Sequence, residues 1–503
     1  MKTYYITTPI YYVNDIPHIG HAYTSLACDV LARFKRLDGF KVFFLTGTDE
    51  HGQKVETAAK EKQMIPQDFV NIVSKNFQIL SNKLNLSNDN FIRTTEKRHI
   101  SACQKLWNQL QKSGDIYLGK YSGWYSIRDE AFFQENELIK GKAPTGAKVE
   151  WVEEPSYFFR LSKWQNKLLE HYHENESFIL PMARRNEVIS FVKGGLKDLS
   201  ISRTSFNWGV PVPNDDKHIM YVWLDALTNY ITAAGYSENN TQFKKLWPAD
   251  IHVVGKDILR FHAVYWPAFL MASGLKLPKK IFAHGWWTNE GEKISKSLGN
   301  VIEPMELINT FGLDQVRYFL IREVPFGNDG DFSKKNLIQR INSDLSNNLG
   351  NLFQRVITFS IKNCEGKIPD PGNNFNNNDL KLINSFQEEL SKIRNLIDNQ
   401  KLDEVLKLLW IKISSANKYI DEEEPWNLKQ IDINRMNVVI YCLIESLRQI
   451  ALLIQPFMPD TSIKILDSLS IKDDSRKLSN LKDRICPHTL LNKPNQLFPR
   501  IHD

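Results

Sequence analysis

Two short clusters in this chain have the residue types and spacing to hold a polyphosphate. The first, Pro17-His18-Ile19-Gly20-His21, lies between an apolar run at Tyr4 to Pro9 that reads as a strand and a helical run from Ile19 to Leu37. Proline suits the opening of a helix, and glycine removes a side chain so that a ligand can approach the backbone. Backbone N–H groups and the positive helix end converge at such a turn, and two imidazoles three residues apart add donors, which suits an anion such as a triphosphate. One histidine alone would be read as readily as a helix cap. The second cluster, Glu290 to Asn300, is a glycine-bounded loop carrying Lys293, Ser295, Lys296 and Ser297. In isolation it reads as a solvated surface turn. It follows an apolar run ending at His284-Gly285, however, and so returns to the carboxyl edge of a sheet, where ligands bind in doubly wound folds. Lysines there can neutralise phosphate charge as it develops.

Both clusters need a scaffold that brings them to one sheet. Residues 1–115 alternate strand and helix patterns, through Gly39 and the β-rich Val42 to Leu45, and predict a parallel, doubly wound α/β sheet of the Rossmann type. Apolar runs at Ile251 to Gly255 and Ile281 to Gly285 flank a helical stretch through Phe261 to Ala272, so the same catalytic sheet resumes over 223–333, which ends in the lysine loop and a connector. Between the halves, 116–222 shows Gly, Pro, aromatic and alternating patterns, such as Tyr121-Ser122-Gly123-Trp124-Tyr125, which predict an inserted domain of short strands and turns. Over 334–503 strand signals give way to helical spacing (Ile383, Phe386, Leu390, Ile393; Leu402, Leu406, Leu409, Ile413), predicting an α-helical bundle. An Asn-rich stretch, Asn373 to Asn378, reads as a surface loop within it.

Composition narrows the class. Lys and Arg number 64 and Asp and Glu 58, so 503 residues carry 64 − 58 = +6, with 42% apolar and 24% charged residues, which excludes a disordered or fibrous protein. The longest candidate for a membrane helix, Val438 to Phe457, is interrupted by Glu445, Arg448 and Gln455, so no bilayer crossing is expected. The first residues lack a signal-peptide pattern, and a cytoplasmic location is expected. Five cysteines without a CxxC pair read as reduced thiols. Residues 341–503 contain 21 basic and 21 acidic side chains, so any nucleic-acid contact of the bundle must rest on specific side chains rather than on net charge.

His18 to His21 and Lys293 to Ser297 are HIGH-type and KMSKS-type signatures, and on them the chain resembles the class I aminoacyl-tRNA synthetases. Pro9-Ile10-Tyr11-Tyr12-Val13-Asn14, Gly47 to Gly52, Tyr221 to Ala226, Gly255 to Ile258 and Asp421 to Trp426 make the resemblance specific to methionyl-tRNA synthetases of the short, zinc-free bacterial type, over nearly the whole chain. That resemblance implies an ATP-dependent ligase that converts L-methionine and ATP to methionyl-adenylate and pyrophosphate, then charges initiator and elongator tRNA(Met). It implies that His18, Gly20 and His21 meet the ATP phosphates, that Lys293 and Lys296 clamp the pyrophosphate, and that Asp257 accepts from the ribose, although a plain helix cap reads nearly as well there. Asp49 corresponds to the ammonium ligand, and Ile10, Tyr12, Trp223, Leu227, Tyr230, Phe261 and His262 to the side-chain pocket. Aromatic rings there favour a thioether by roughly 0.3 to 1.5 kcal/mol. Asn351, Arg355 and Trp426 correspond to readers of the CAU anticodon; without the resemblance, Trp426 would be taken for packing and Arg355 for a surface charge.

Departures from the family are informative too. Many relatives carry paired CxxC zinc ligands in the insertion, but no cysteine occurs from Gln104 to Asn363, so no structural zinc is expected and the metal ligand set is read as none. Ile294 stands where the signature loop usually has methionine, a volume-similar change. Magnesium is expected to arrive with ATP. With no all-β C-terminal extension after the helices, a monomer is expected. A cysteine-specific class I synthetase and a non-charging nucleotidyltransferase relic are the rival readings; the first usually needs a zinc site, and intact Asp49, Lys293 and Lys296 argue against the second.

Overall fold

Runs of β-branched and aromatic residues pair where they can be buried on both faces. In a computed structural model, which describes residues 2–13, 17–129, 131–133, 135–294 and 299–502, one sheet contains Thr3–Thr7, Tyr11–Tyr12, Lys41–Asp49, Asn90–Arg93, Ile179–Leu180, Ile251–Gly255 and Ile281–His284. Its pairings are parallel: Ile6 faces Ile251, Val253 faces Phe282, Phe282 faces Leu180, Leu45 faces Asn90 and Tyr12 faces Asp49. This is the expected α/β class. The chain separates into two compact units, one of Thr3–Pro17 and Val42–His284, the other of Met1–Lys2, His18–Lys41 and Gly285–Asp503.

The first unit contains the sheet and a continuous apolar core in which Trp107, Phe159, Tyr172, Tyr230 and Trp266 are fully enclosed. Within 116–222, Ile116–Ser126 and Glu150–Phe159 form a long antiparallel ladder from Ile116 opposite Phe159 to Tyr125 opposite Glu150. The second half of that stretch corrects the reading of an insertion made of strands and turns. Gln165–Glu174 and Met182–Lys193 are helices, and Ile179–Leu180 between them joins the edge of the main sheet. Leu168 with Tyr172, and Val188 with Val192, are buried pairs at helical spacing, which the neighbouring Gly and Pro signals masked.

In the second unit, helix Ile19–Leu37 carries a completely buried Asp29, whose Oδ2 accepts from Arg317 Nη2 at 2.7 Å and from Arg33 Nε at 2.7 Å. Arg317 also donates to the carbonyls of Pro456 and Phe457. Removing one partner of such a buried pair costs about 3 to 5 kcal/mol, because the other charge is left without compensation. Helices Asn351–Asn363, Asn377–Glu388, Leu402–Glu423, Ile433–Ile454 and Pro459–Ser468 make the bundle. Helix Ile433–Ile454 is long and apolar enough to cross a membrane, yet nearly all of it is buried inside the bundle. Its Glu445 carboxylate accepts from Arg448 Nη2 at 2.6 Å. Part of the Asn-rich stretch is less loose than its composition suggested: Asn376 caps helix Asn377–Glu388 and exchanges side-chain bonds with Asp379.

Candidate functional site

The residues expected at the amino-acid end lie entirely within the first unit. Tyr12 and Asp49 are register partners on adjacent parallel strands, so the sheet itself sets their spacing. Helix Val222–Ala234 places Trp223, Leu227 and Tyr230 at i, i+4 and i+7 on one face. After the strand Ile251–Gly255, the turn Lys256–Ile258 carries Asp257, and the widened, π-type helical turn Phe261–Tyr265 carries Phe261 and His262. Such turns re-aim side chains and recur at functional sites. Trp223 stacks on Phe261 with ring centroids 3.5 Å apart and 11° between planes. The Tyr230 hydroxyl lies 2.7 Å from His262 Nε2. Ile10, Trp223 and Phe261 pack against the same core that encloses Leu227 and Tyr230.

Hydrogen-bond direction fixes the chemistry of this pocket. His262 Nδ1 sits 2.9 Å from the Ile258 carbonyl, which can only accept, so the ring proton is on Nδ1 and Nε2 accepts from Tyr230. Burial lowers the His262 pKa to about 4, against smaller opposing effects of the Ile258 bond and Asp257, and the imidazole is neutral at physiological pH. Tyr230 is stacked on His252, 4.1 Å between centroids, and its carbonyl accepts from Tyr5. The result is an apolar, aromatic cluster in the same unit as the Asp49 carboxylate, a composition suited to an amino acid with an unbranched apolar side chain.

The phosphate-type cluster lies in the second unit. His18 Nδ1 accepts from the Gly20 N–H at 3.1 Å, and His21 Nδ1 accepts from the His18 N–H at 3.0 Å. The two imidazoles thus form the helix cap. Because both Nδ1 atoms accept, each neutral ring has its proton on Nε2, one donor apiece. Burial and the neighbouring His18 hold His21 well below the usual imidazole range. A Cβ on Gly20 would come within 2.9 Å of the His18 ring, which explains the glycine. The Ile19 N–H donates to the Ile302 carbonyl at 3.1 Å, joining the histidine turn to the chain just beyond the lysine loop. That loop is closed at its base by Asn289 to the Asn300 carbonyl and Asn300 to the Lys293 carbonyl, both 3.1 Å. Lys293 is exposed, with Nζ 5.7 Å from the Trp286 ring centroid. Lys296 lies outside the described residues.

On the bundle, Asn351 and Arg355 stand one turn apart on helix Asn351–Asn363. Helix Leu402–Glu423 ends at Glu424, whose φ of 46° turns the chain sharply, and Pro425 opens the helix Pro425–Ile431 that carries Trp426. Arg355 Nη2 donates to Asp421 Oδ1 at 2.6 Å, and its guanidinium carbon lies 5.5 Å from the Trp426 ring centroid. The three predicted positions therefore share one region, with Trp426 39% exposed.

The sequence reading passed over a polar cluster beside the amino-acid pocket. Asp225, two residues beyond Trp223, is met by His51, two residues beyond Asp49. Both fall in motifs used for the resemblance, yet 174 positions separate them and no local pattern links them.

Comparison with known proteins matches this geometry to a family. The model described as tRNA synthetases class I (M) matches residues 4–150 and 136–357, and the anticodon binding domain of methionyl tRNA ligase matches 368–503. A methionine–tRNA ligase of Rickettsia conorii is 57% identical, covering 99% of this chain and 98% of the relative. That of Rickettsia bellii is 56% identical over 100% of both. The solved Mycobacterium tuberculosis methionyl-tRNA synthetase in complex with methionyl-adenylate superposes with a TM-score of 0.97 at 50% identity, over 99% of this chain and 100% of that one.

Proposed function

The chain belongs to the methionyl-tRNA synthetases, the methionine–tRNA ligases of class I, and from that premise we propose how its own residues carry the reaction. The overall activity is ATP-dependent formation of methionyl-adenylate and pyrophosphate, followed by transfer of methionine to the 3′-terminal adenosine of tRNA(Met) with release of AMP. Methionine's carboxylate oxygen attacks the α-phosphorus, the bond to the β-phosphate oxygen breaks, and pyrophosphate leaves with the electron pair. No enzyme nucleophile is needed, so catalysis consists of positioning and electrostatic stabilisation.

In this reading Asp49 holds the ammonium, while Ile10, Tyr12, Trp223, Leu227, Tyr230, Phe261 and His262 enclose the thioether. His18 and His21 direct Nε2–H donors to the triphosphate beside Gly20, Asp257 accepts from the ribose, and Lys293 with Lys296 neutralises the departing pyrophosphate. One such donor contributes about 3 to 4 kcal/mol to barrier lowering, by the scale of oxyanion-hole deletions. Magnesium enters with the nucleotide: His18, His21 and Lys293 are nitrogen donors, whereas this hard ion takes oxygens, which phosphate and water supply. We assign no side-chain cage to it. Asn351, Arg355 and Trp426 read the anticodon of both initiator and elongator tRNA, and the enzyme acts as a cytoplasmic monomer.

The observation that supports the pocket assignment is the aromatic cluster itself, Trp223 stacked on Phe261 and Tyr230 bonded to a neutral His262, in the unit whose strand Lys41–Asp49 ends in the carboxylate. ATP–pyrophosphate exchange with single amino acids, with and without tRNA, tests it. Methionine alone should drive exchange; exchange driven by another amino acid would keep the fold and overturn the pocket.

A further inference from the structure

A buried carboxylate ties the loop after Asp49 to the helix of the side-chain pocket. Asp225 is completely buried, with Oδ2 at 2.6 Å from His51 Nδ1 and Oδ1 at 2.7 Å from His99 Nε2. The three residues come from three separate elements: the turn after strand Lys41–Asp49, helix Lys97–Lys112 and helix Val222–Ala234. Their protons can be followed. Thr232 Oγ1 lies 3.1 Å from His99 Nδ1 and 2.9 Å from the Thr228 carbonyl, so the second His99 nitrogen is engaged as well. His99 Nε2 faces a carboxylate, as does His51 Nδ1, so each carries a proton there. Burial alone would raise the Asp225 pKa, but His51 and His99 outweigh it and hold the carboxyl well below the usual range.

The turn that His51 anchors is restrained at every residue. The Tyr12 hydroxyl donates to the His51 carbonyl at 3.1 Å, Trp208 Nε1 to the Glu50 carbonyl at 2.6 Å, and the Gly52 N–H to the Trp208 carbonyl at 3.0 Å. The buried Glu50 carboxylate accepts two bonds from Arg93, at 2.7 and 2.9 Å. Asp49 directly precedes this turn, while Trp223 and Leu227 flank Asp225 two positions either way on the pocket helix. The His51 to Asp225 bond is a direct side-chain link between the turn that follows Asp49 and the helix that carries Trp223, Leu227 and Tyr230.

We propose that His51 and Asp225 are positioning residues that hold Asp49 in register with the Trp223–Leu227–Tyr230 face, and thereby set the enzyme's affinity for its amino acid. This rests on the reading of that pocket as the methionine site. A metal seat is the competing account of the same atoms, since His99, Cys103 and Asp225 offer ligand atoms within 4.8 Å of one another. Ligands about a tetrahedral zinc, bound at 2.0 to 2.3 Å, stand roughly 3.3 Å apart or more. The 2.7 Å between His99 and Asp225 is instead a hydrogen bond, and the other His99 nitrogen is engaged by Thr232.

Exchange kinetics of the full chain with His51→Asn and His51→Gln test the proposal. An asparagine amide can place an N–H near the position of Nδ1–H, whereas glutamine fills the space with its donor displaced. His51→Gln should raise the methionine KM about tenfold, with kcat and the ATP KM changed by less than about threefold, and His51→Asn should bring the methionine KM most of the way back. Asp225→Asn, which keeps the volume but can accept from only one imidazole, should move the same constant. Wild-type KM in both glutamine and asparagine variants, or parallel loss of kcat and both KM values, would overturn the positioning role. Bound zinc in purified protein that disappears in His99→Gln would overturn it in favour of the metal. Absence of methionine-driven exchange in the unmutated chain would sink the underlying pocket assignment instead.

Discussion

The proposed amino-acid pocket and the proposed anticodon-reading face are built on opposite principles. Leu227 and Tyr230 are 1% exposed and His262 2%, whereas Trp426 is 39% exposed. The Tyr230 hydroxyl and both His262 ring nitrogens are paired with the protein in fixed proton directions before any ligand arrives. At the bundle, Arg355 is held mainly by Asp421, whose side chain is 60% exposed and free to be exchanged for a nucleic-acid partner. A ligand as small as methionine offers little surface, so affinity depends on a pocket organised in advance. A tRNA loop brings its own stacking surfaces and phosphates, and its reader can be loosely held.

The strongest way to break this contrast is to damage the pocket and watch the bundle. Asp49→Asn removes the charge proposed to pair with the ammonium while preserving shape. Methionine kcat/KM in exchange should fall on the order of a hundredfold to a thousandfold, as expected when one partner of a desolvated charge pair is lost. Affinity for tRNA, measured by filter binding, should stay at the wild-type value. A parallel fall in tRNA affinity would mean that the two regions are not energetically separate.

How far the sequence revealed each region follows from the range of the interactions that build it. Helix Ile19–Leu37 was read to its ends because Pro17, Gly20 and the apolar spacing are local signals. Trp223 with Tyr230, seven residues apart, and Asn351 with Arg355, four apart, share helix faces by spacing that a helix alone dictates. The stack of Trp223 on Phe261 and the bond from His51 to Asp225 join elements distant in sequence, and no period or motif announces them. Residues 165–193 were misread for a different reason. Their helices are short and separated by the strand Ile179–Leu180 and Pro181, so turn signals outweigh a weak helical pattern. For His18 and His21 the residues were evident, but the assignment of each Nδ1 as acceptor required the backbone geometry.

Burial gives the pocket a second signature that the exposed face lacks. With a folded pKa of about 4 against 6.5 for the free imidazole, His262 binds its proton more weakly in the folded chain than in the unfolded one. Its contribution is therefore fully present above pH 6.5 and is lost as pH falls toward 4, by up to about 3 kcal/mol. Chemical denaturation at a series of pH values should show His262→Gln losing less stability across that window than the wild type. His21 and His252 are also held low by burial and keep their share of the slope in the variant. Trp426→Ala should retain the wild-type slope; a flattened slope in that variant would show that the pH dependence does not reside in the pocket.

The smallest expected effect tests the exposed side of the comparison directly. Trp426 sits on a short helix launched by the turn at Glu424, its ring beside the Arg355 guanidinium, where an unstacked base can lie against it. Base–aromatic stacking is worth about 1 to 3 kcal/mol, so Trp426→Ala should lower kcat/KM for tRNA charging by roughly 5- to 150-fold. Methionine-dependent exchange in the absence of tRNA should be unchanged, because no atom of the pocket is altered. Trp426→Phe should restore most of the charging rate, since a phenyl ring keeps a stacking face and Arg355 keeps its neighbour. Failure of phenylalanine to restore it, with exchange intact, would assign the indole a hydrogen-bonding role in place of stacking. Equal loss of exchange and charging would instead show that the residue supports the fold, and the loosely held reader would then be a packed one.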